Sequence, residues 1–221
     1  MMMLAMTFFM PFIVFEGLDG SGKSSLMLSL EEELKIKSLS VLRTREPGGT
    51  SLGDQIREII LRKEGPTPTP RTELLLYEAS RSQHVDQVIR PYLQKNYWVL
   101  CDRFTASSIA FQAGGREISE EWVEKLNEFA TDNLRPDLTI LLDLSVEESR
   151  RRRSHRESSG GGSQDRMESE ADSFHHKVRR SFLEQASREP KRWLVLDASE
   201  APSVLLNKLL THIRGLQWLV Y

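Results

Sequence analysis

The sequence predicts an α/β protein: a five-stranded parallel sheet with helices on both faces and a short flexible lid. Three observations carry this prediction. Five continuous apolar runs of strand length alternate with segments of helical periodicity, as expected for strands buried on both faces. A glycine-rich turn joins the first run to the helix that follows it. Polar residues collect where the runs end, at Asp19, Arg45-Glu46, Asp102-Arg103, Asp143 and Asp197, which is where open parallel sheets bind ligands.

Phe12 to Phe15 is the first strand, and Leu26, Leu30 and Leu34 recur every four residues in the helix after the turn. Ser40 to Arg45 is the second strand, closed by Glu46-Pro47-Gly48-Gly49, a turn by composition. Leu52, Ile56, Ile59 and Ile60 mark another helix, and Gly65-Pro66-Thr67-Pro68-Thr69-Pro70 forbids regular structure. Thr72 to Leu93 reads as one long helix with a kink near Ser82. Tyr97 to Cys101 is a buried strand ending in Asp102, and Glu120 to Thr131 is a helix with Ser119 as N-cap. Leu138 to Asp143 and Trp193 to Leu196 are the last strands, and Ala201 to Ile213 is the last helix. Ser145 to Glu170 breaks the alternation.

At 221 residues the chain reads as a single domain, 1–221, with the lid at about 150–168. Lys and Arg number 30 against 32 Asp and Glu, a balance that argues against a nucleic-acid surface spread over the molecule. A single cysteine, Cys101, precludes an internal disulfide and fits a reducing cytoplasm. The apolar opening, Met1 to Met10, lacks a basic n-region and leads straight into the first strand, so it is not read as a signal peptide; Met6 is an alternative start. No apolar run reaches the roughly 18 residues of a membrane span. His84, His155, His175 and His176 show no metal-ligand spacing and read as surface or lid positions.

Gly17, Leu18, Asp19, Gly20, Ser21, Gly22, Lys23 and Ser24 fit the G-x-x-x-x-G-K-[ST] pattern in its strand–turn–helix context. The glycines let successive backbone N–H groups point inward, and the helix that begins there, through Ser25, adds its positive end. Lys23 supplies a point charge for the β- and γ-phosphates of a nucleoside triphosphate, and the Ser24 hydroxyl can ligate Mg²⁺. A plain connecting turn would not need Lys23. Asp102, ending an apolar strand, has the form of a second nucleotide motif whose carboxylate orients Mg²⁺.

Three further segments suit an acceptor. Arg45 sits on the Glu46-Pro47 turn; Tyr77 and Arg81 share a helix face; Ser107, Ser108, Phe111 and Gln112 follow Arg103 in a short helical stretch. Rings, an amide and guanidiniums of this kind can read a base and its 5′-phosphate, although Tyr77 or Phe111 taken alone would more simply be core. Arg150-Arg151-Arg152-Arg153, Arg156 and Arg166 flank the flexible run Ser158-Ser159-Gly160-Gly161-Gly162-Ser163. In a chain with a phosphate loop and no other excess of base, they read as a mobile arginine lid.

On these segments, together with Glu73-Leu74-Leu75-Leu76-Tyr77 and Asp165-Arg166-Met167-Glu168, the chain resembles the thymidylate kinases, P-loop nucleoside monophosphate kinases, from Phe12 to about Leu209. The resemblance implies transfer of the ATP γ-phosphoryl to dTMP with Mg²⁺, in a homodimer. By it Asp19 would hold the deoxyribose 3′-OH, and Arg45 and Arg103 the dTMP phosphate. Glu46, Pro47, Ser107, Ser108, Asp165 and Glu168 belong to the same acceptor segments. Tyr77 would stack on thymine, Arg81 would hydrogen-bond a base carbonyl, Phe111 would lie beneath the sugar, and Gln112 near the base edge. Glu16 and Asp102 would belong to the metal surroundings, and Ala198 and Ser199 to the adenine loop. A phosphate loop with no arginine looks like the bacterial subgroup that draws its catalytic arginine from the lid; Arg156 is favoured, with Arg152, Arg153 and Arg166 as alternatives. Two rivals stay open at this point: a kinase for another monophosphate or nucleoside, and a non-catalytic nucleotide-binding regulator.

Overall fold

The computed structural model describes residues 10–160 and 162–219, so the readings placed on the first nine residues and on Gly161 lie outside it. Five parallel strands form one sheet: β1 (Phe12–Glu16), β2 (Val41–Arg45), β3 (Trp98–Asp102), β4 (Leu138–Asp143) and β5 (Trp193–Asp197). Their order is β2-β3-β1-β4-β5. The chain fills one side of β1 and then crosses to the other, so a crevice opens above the carboxyl end of β1. Phe15 lies opposite Asp102 on β3, and Arg45 on β2 is opposite the same Asp102, which brings the three strand ends to one level.

The pleat of β1 divides its side chains between two cores. Ile13 and Phe15 pack with Leu26, Leu30 and Leu34 of α1 (Lys23–Ile36) and Leu205, Leu209 and Ile213 of α9 (Pro202–Gly215). Phe12 and Val14 face the other way, against Val85, Ile89, Val99 and Phe104. On that second face α8 (Asp172–Arg188) adds Val178 and Phe182 beneath Leu141 of β4. There also α2 (Ser51–Leu61) packs on α3 (Pro70–His84), and α3 on α6 (Glu120–Thr131). The sheet is therefore covered on both sides, as the apolar runs predict.

Three local expectations are corrected. The long helix after Pro70 is regular through Ser82, and its irregularity is a π turn, Val85–Ile89, before α4 (Arg90–Gln94). Pro91 explains the shift: it has no N–H to give and its ring would meet the carbonyl four residues back, so the wider turn is wound ahead of it. The arginine-rich stretch is not irregular either. Val146–Ser158 forms α7, its N-terminus capped by Ser145 Oγ, which accepts from Glu148 N–H at 3.2 Å. Arg151 and Arg152 both pair with Glu148 one turn back, so the charge run stabilises a helix, and α8 follows the lid. Ser119 occupies the N-cap of α6 without a side-chain hydrogen bond; its carbonyl takes the N–H groups of Trp122 and Val123.

Candidate active site

The turn after β1 curls as its glycines require. Gly17, Gly20 and Gly22 all have positive φ, and a Cβ on Gly17 would collide with the Leu142 carbonyl. Lys23 Nζ lies under the loop, donating to Gly17 O at 3.1 Å and Leu18 O at 3.2 Å, with Asp19 4.0 Å away. Burial and the nearby Arg103 lower its pKa. Leu18 packs inward, Ser21 Oγ is buried without a partner, and Ser25 is exposed on the first turn of α1. Ala198 N–H donates to Asp143 O at 2.8 Å, while Ser199 turns back on Asp197. Asp143 itself is taken by both ends of Arg179, a structural pair rather than a ligand position.

Beside the loop, Ser24 Oγ donates to Asp102 Oδ2 at 3.3 Å, and Asp102 Oδ1 is buried with no partner. One hydroxyl and one half-satisfied carboxylate suit a cation that keeps its waters and takes phosphate oxygens. No cluster of three His, Cys, Asp or Glu occurs among the described residues. Glu16 faces elsewhere. Its oxygens accept from Phe104 N–H at 3.0 Å and Ser107 Oγ at 2.7 Å, and Arg103 stands 3.7 Å off. Burial raises its pKa to about 7, against the pull of Arg103 and of those two hydrogen bonds.

Arg103 ties this end of the sheet together. Its backbone holds the left-handed region at φ 72, fixed by its N–H on Phe15 O at 3.0 Å. Its side chain donates to Asp19 Oδ1 at 2.8 Å and Ser107 Oγ at 3.3 Å, and lies over the Phe111 ring at 5.0 Å. Burial alone would raise the Asp19 pKa; Arg103 and Lys23 outweigh it and hold the carboxylate ionised.

Next to Arg103 opens a cavity of about 70 Å³. Its wall brings together most of the expected acceptor set: Asp19, Glu46, Pro47, Tyr77, Arg103, Ser107, Ser108, Phe111, Gln112 and Asp165. Ser107, Ser108, Phe111 and Gln112 ride on α5 (Thr105–Ser108) and the π-wound stretch Ile109–Gly115. Two wall residues carried no sequence signal, Leu61 and Arg57, whose Nη1 donates to Pro47 O at 3.0 Å; Met167, the remaining one, lies in the Asp165-Arg166-Met167-Glu168 segment but was given no role. Arg57 belongs to no motif, and only its place on α2 facing the turn puts it there. A larger cavity of about 300 Å³ lies behind α5, between α6 and α8, and holds none of the expected site residues.

Three expected residues stand off the wall. Arg45 pairs with Asp54 at 3.1 Å on the exposed side. Glu168 lies in the lid, its N–H on Asp165 Oδ1 and its carboxylate taking Asp165 N–H. Arg81 is the clearest departure, only 1% exposed and beneath the cavity. It donates to Glu46 at 2.7 Å, Glu78 at 2.6 Å, Ser108 at 2.8 Å, Asn127 at 2.7 Å and Phe104 O at 3.0 Å. From there it braces Glu46 and Ser108 beneath the cavity wall. His84 completes the brace between Thr44 and Glu46, so it is a buried residue and not a surface one; His175 is buried too.

The lid arginines divide by their partners. Arg152 spans the phosphate loop and the last strand's loop, donating to Gly20 O at 3.2 Å and Ala198 O at 3.1 Å. Arg153 is buried, bonded to the Glu168 carbonyl and 3.2 Å from His175 Nε2, with Nε unpartnered. Arg156 gives Nη2 to both Glu168 oxygens, at 2.9 and 2.6 Å. Arg166 is anchored to Ile60 O and Glu73.

Known proteins can now be set beside this geometry. The thymidylate kinase family model matches residues 15–209. A thymidylate kinase of Bdellovibrio bacteriovorus is 68% identical over 204 residues, 92% of this chain and 95% of that protein. One from Pelobacter propionicus is 46% identical over 189 residues, covering 85% and 86%, and one from an Exiguobacterium species 43% over 201 residues, covering 91% and 92%. With the family model matched over residues 15–209 and relatives alike across nearly the whole chain, the chain belongs to the thymidylate kinase family.

Proposed function

We propose that the two joined sites carry out the family's reaction, transfer of the ATP γ-phosphoryl to dTMP giving dTDP and ADP, with these residues in the following roles. The observation that carries the assignment is the Arg103–Asp19 contact, which makes the donor loop one wall of the acceptor cavity. Loop N–H groups and Lys23 hold the β- and γ-phosphates, and Arg152 closes the loop toward Ala198 and Ser199 beside the adenine. Arg103 and Arg57 hold the acceptor phosphate in line, with Arg45 near them at the mouth. A phosphate oxygen is already a nucleophile, so positioning and charge neutralisation supply the rate. Tyr77 and Phe111 sandwich the nucleoside, and Asp19 takes its 3′-OH.

Ser24 and Asp102 would hold Mg²⁺, which when bound with ATP supplies positive charge at the β- and γ-oxygens. The lid, about 150–168, brings Arg153 and Arg156 over the transferring group and shuts out water. A second copy would cover Leu52 and Ile59 on α2, Leu75 on α3, and Trp122 and Phe129 on α6, which are 62% and 85% exposed in the last two cases. These apolar residues share adjacent helices, a surface suited to a homodimer. No helix among the described residues is long and apolar enough to cross a membrane, and the lone buried thiol agrees with a reducing cytoplasm. Incubation with ATP, Mg²⁺ and each nucleoside or monophosphate, read by ADP release, tests the assignment. Preference for any acceptor other than dTMP would overturn it.

A further inference from the structure

Glu73, at the start of α3, is 1% exposed and does not touch the acceptor cavity, yet four donors converge on it. Arg116 gives Nε to Oε1 at 3.2 Å and Nη2 to Oε2 at 3.1 Å. Arg166 gives Nη2 to Oε2 at 2.6 Å. The fourth is Gln112 Nε2, on Oε1 at 2.9 Å, and Gln112 does line the cavity. Burial alone would raise the Glu73 pKa, but the Arg116 and Gln112 hydrogen bonds outweigh it, and the group stays ionised.

An ionised carboxylate only accepts hydrogen bonds, so it can face only the NH₂ end of an amide. Gln112 is thereby denied its other orientation. Its Oε1 is turned away from Glu73, no donor among the described residues takes it, and the cavity wall beside Tyr77 and Phe111 carries a bare acceptor. We infer that Glu73 is the positioning residue for base choice: by locking the Gln112 amide it makes the cavity accept pyrimidines that bear an N3–H and reject cytosine. Thymine and uracil offer that N3–H. Cytosine has a lone pair at N3, which would face the Oε1 lone pair with neither group bonded. This rests on the cavity being the dTMP site.

Glu73→Gln tests the lock. The new amide keeps its oxygen at the Oε2 position, where Arg116 and Arg166 both donate, and turns its NH₂ to the Oε1 position, giving up the longer Arg116 Nε contact at 3.2 Å. Gln112 must then flip, offering Oε1 to residue 73 and NH₂ to the cavity. The expected result is a fall of roughly 100-fold or more in the dTMP/dCMP ratio of kcat/KM, with dCMP turnover rising and the ATP KM within about twofold of wild type. A folded Glu73→Gln protein whose ratio stays within about threefold of wild type overturns the inference. If this variant loses its native melting transition, Gln112→Leu decides: dTMP kcat/KM should drop at least about 30-fold with dCMP unchanged, and an unchanged ratio again overturns it. A wild-type enzyme that does not prefer dTMP would defeat the dTMP reading itself, a separate outcome from a lock that fails in an enzyme that does.

Discussion

Arg103 Nη2 donates to Asp19 Oδ1 at 2.8 Å, so the guanidinium that follows β3 and the carboxylate inside the phosphate loop form one unit in the cavity wall. The pair is partly buried and braced by Ser107 and the Phe111 ring, which keeps the guanidinium in place before any acceptor arrives. Arg103→Ala should therefore cut kcat/KM for dTMP by roughly 10²–10³-fold while the ATP dissociation constant changes less than about threefold. Steady-state kinetics with dTMP varied, beside calorimetric titration with an ATP analogue, separates the two. Equal losses for both ligands would remove Arg103 from the acceptor side.

Lys23 makes the opposite case, a residue whose chemistry and stability roles diverge. Its ammonium is 7% exposed and held by two carbonyls, and burial disfavours its charge. Lys23→Ala should lose at least about 10²–10³-fold in kcat while the melting temperature stays the same or rises. A variant that keeps near-normal turnover would contradict the donor assignment.

The strands could be read from sequence because each is a short apolar run whose burial on both faces needs no partner to be known. The phosphate loop was equally legible, since Gly17 to Ser24 contains its own turn, helix end and cation. Part of the cavity wall was not. Arg57 and Leu61 lie on α2 outside every motif, and only packing brings them beside Tyr77 and Phe111. Arg81 shows the limit most clearly. Its spacing from Tyr77 places it on a shared face toward a ligand, but Glu46 and Glu78 balance its charge below the surface and Asn127, 46 residues on, accepts a further hydrogen bond. The lid helix was missed because an arginine run has no apolar period, although Glu148 one turn before Arg151 and Arg152 supports it.

Glu16 should leave a signature in the pH dependence of stability. Its folded pKa of about 7 lies above the usual 4.5, so between those values the native state binds more protons than the unfolded one. That contribution makes stability fall as pH rises from about 4.5 to 7, and stay level above. The full span is on the order of 3 kcal/mol. Glu16→Gln keeps an acceptor for Phe104 N–H and a donor for Ser107 without the buried charge. Urea unfolding should show the variant gaining on wild type from pH 5 to pH 8. A gap that does not change with pH would mean that Glu16 is ionised throughout.

The last prediction concerns which lid arginine meets the transferring phosphoryl. Arg156, favoured from the sequence, spends Nη2 on both Glu168 oxygens, whereas the buried Arg153 gives Nη1 only to the Glu168 carbonyl and His175 and helps to hold the Asp19 carboxylate ionised; Nε is unpartnered in both. Arg153→Ala should thus lower kcat by roughly 10²-fold or more, and Arg156→Ala by less. His175 adds a pH test. Burial, then Arg153, lower its pKa, and Arg153 can donate to Nε2 only while the ring is neutral. Around that ring lie Arg153 on α7, Asp19 in the phosphate loop, Glu168 in the lid and Asp172 on its own helix. Protonation on the acid side sets two cations against each other and should release Arg153, so kcat should fall at low pH. His175→Gln keeps an acceptor that does not titrate and should flatten that acid limb while preserving most activity at neutral pH. An acid limb unchanged in His175→Gln would separate His175 from the lid's catalytic charge, and a larger loss in Arg156→Ala than in Arg153→Ala would return the role to Arg156.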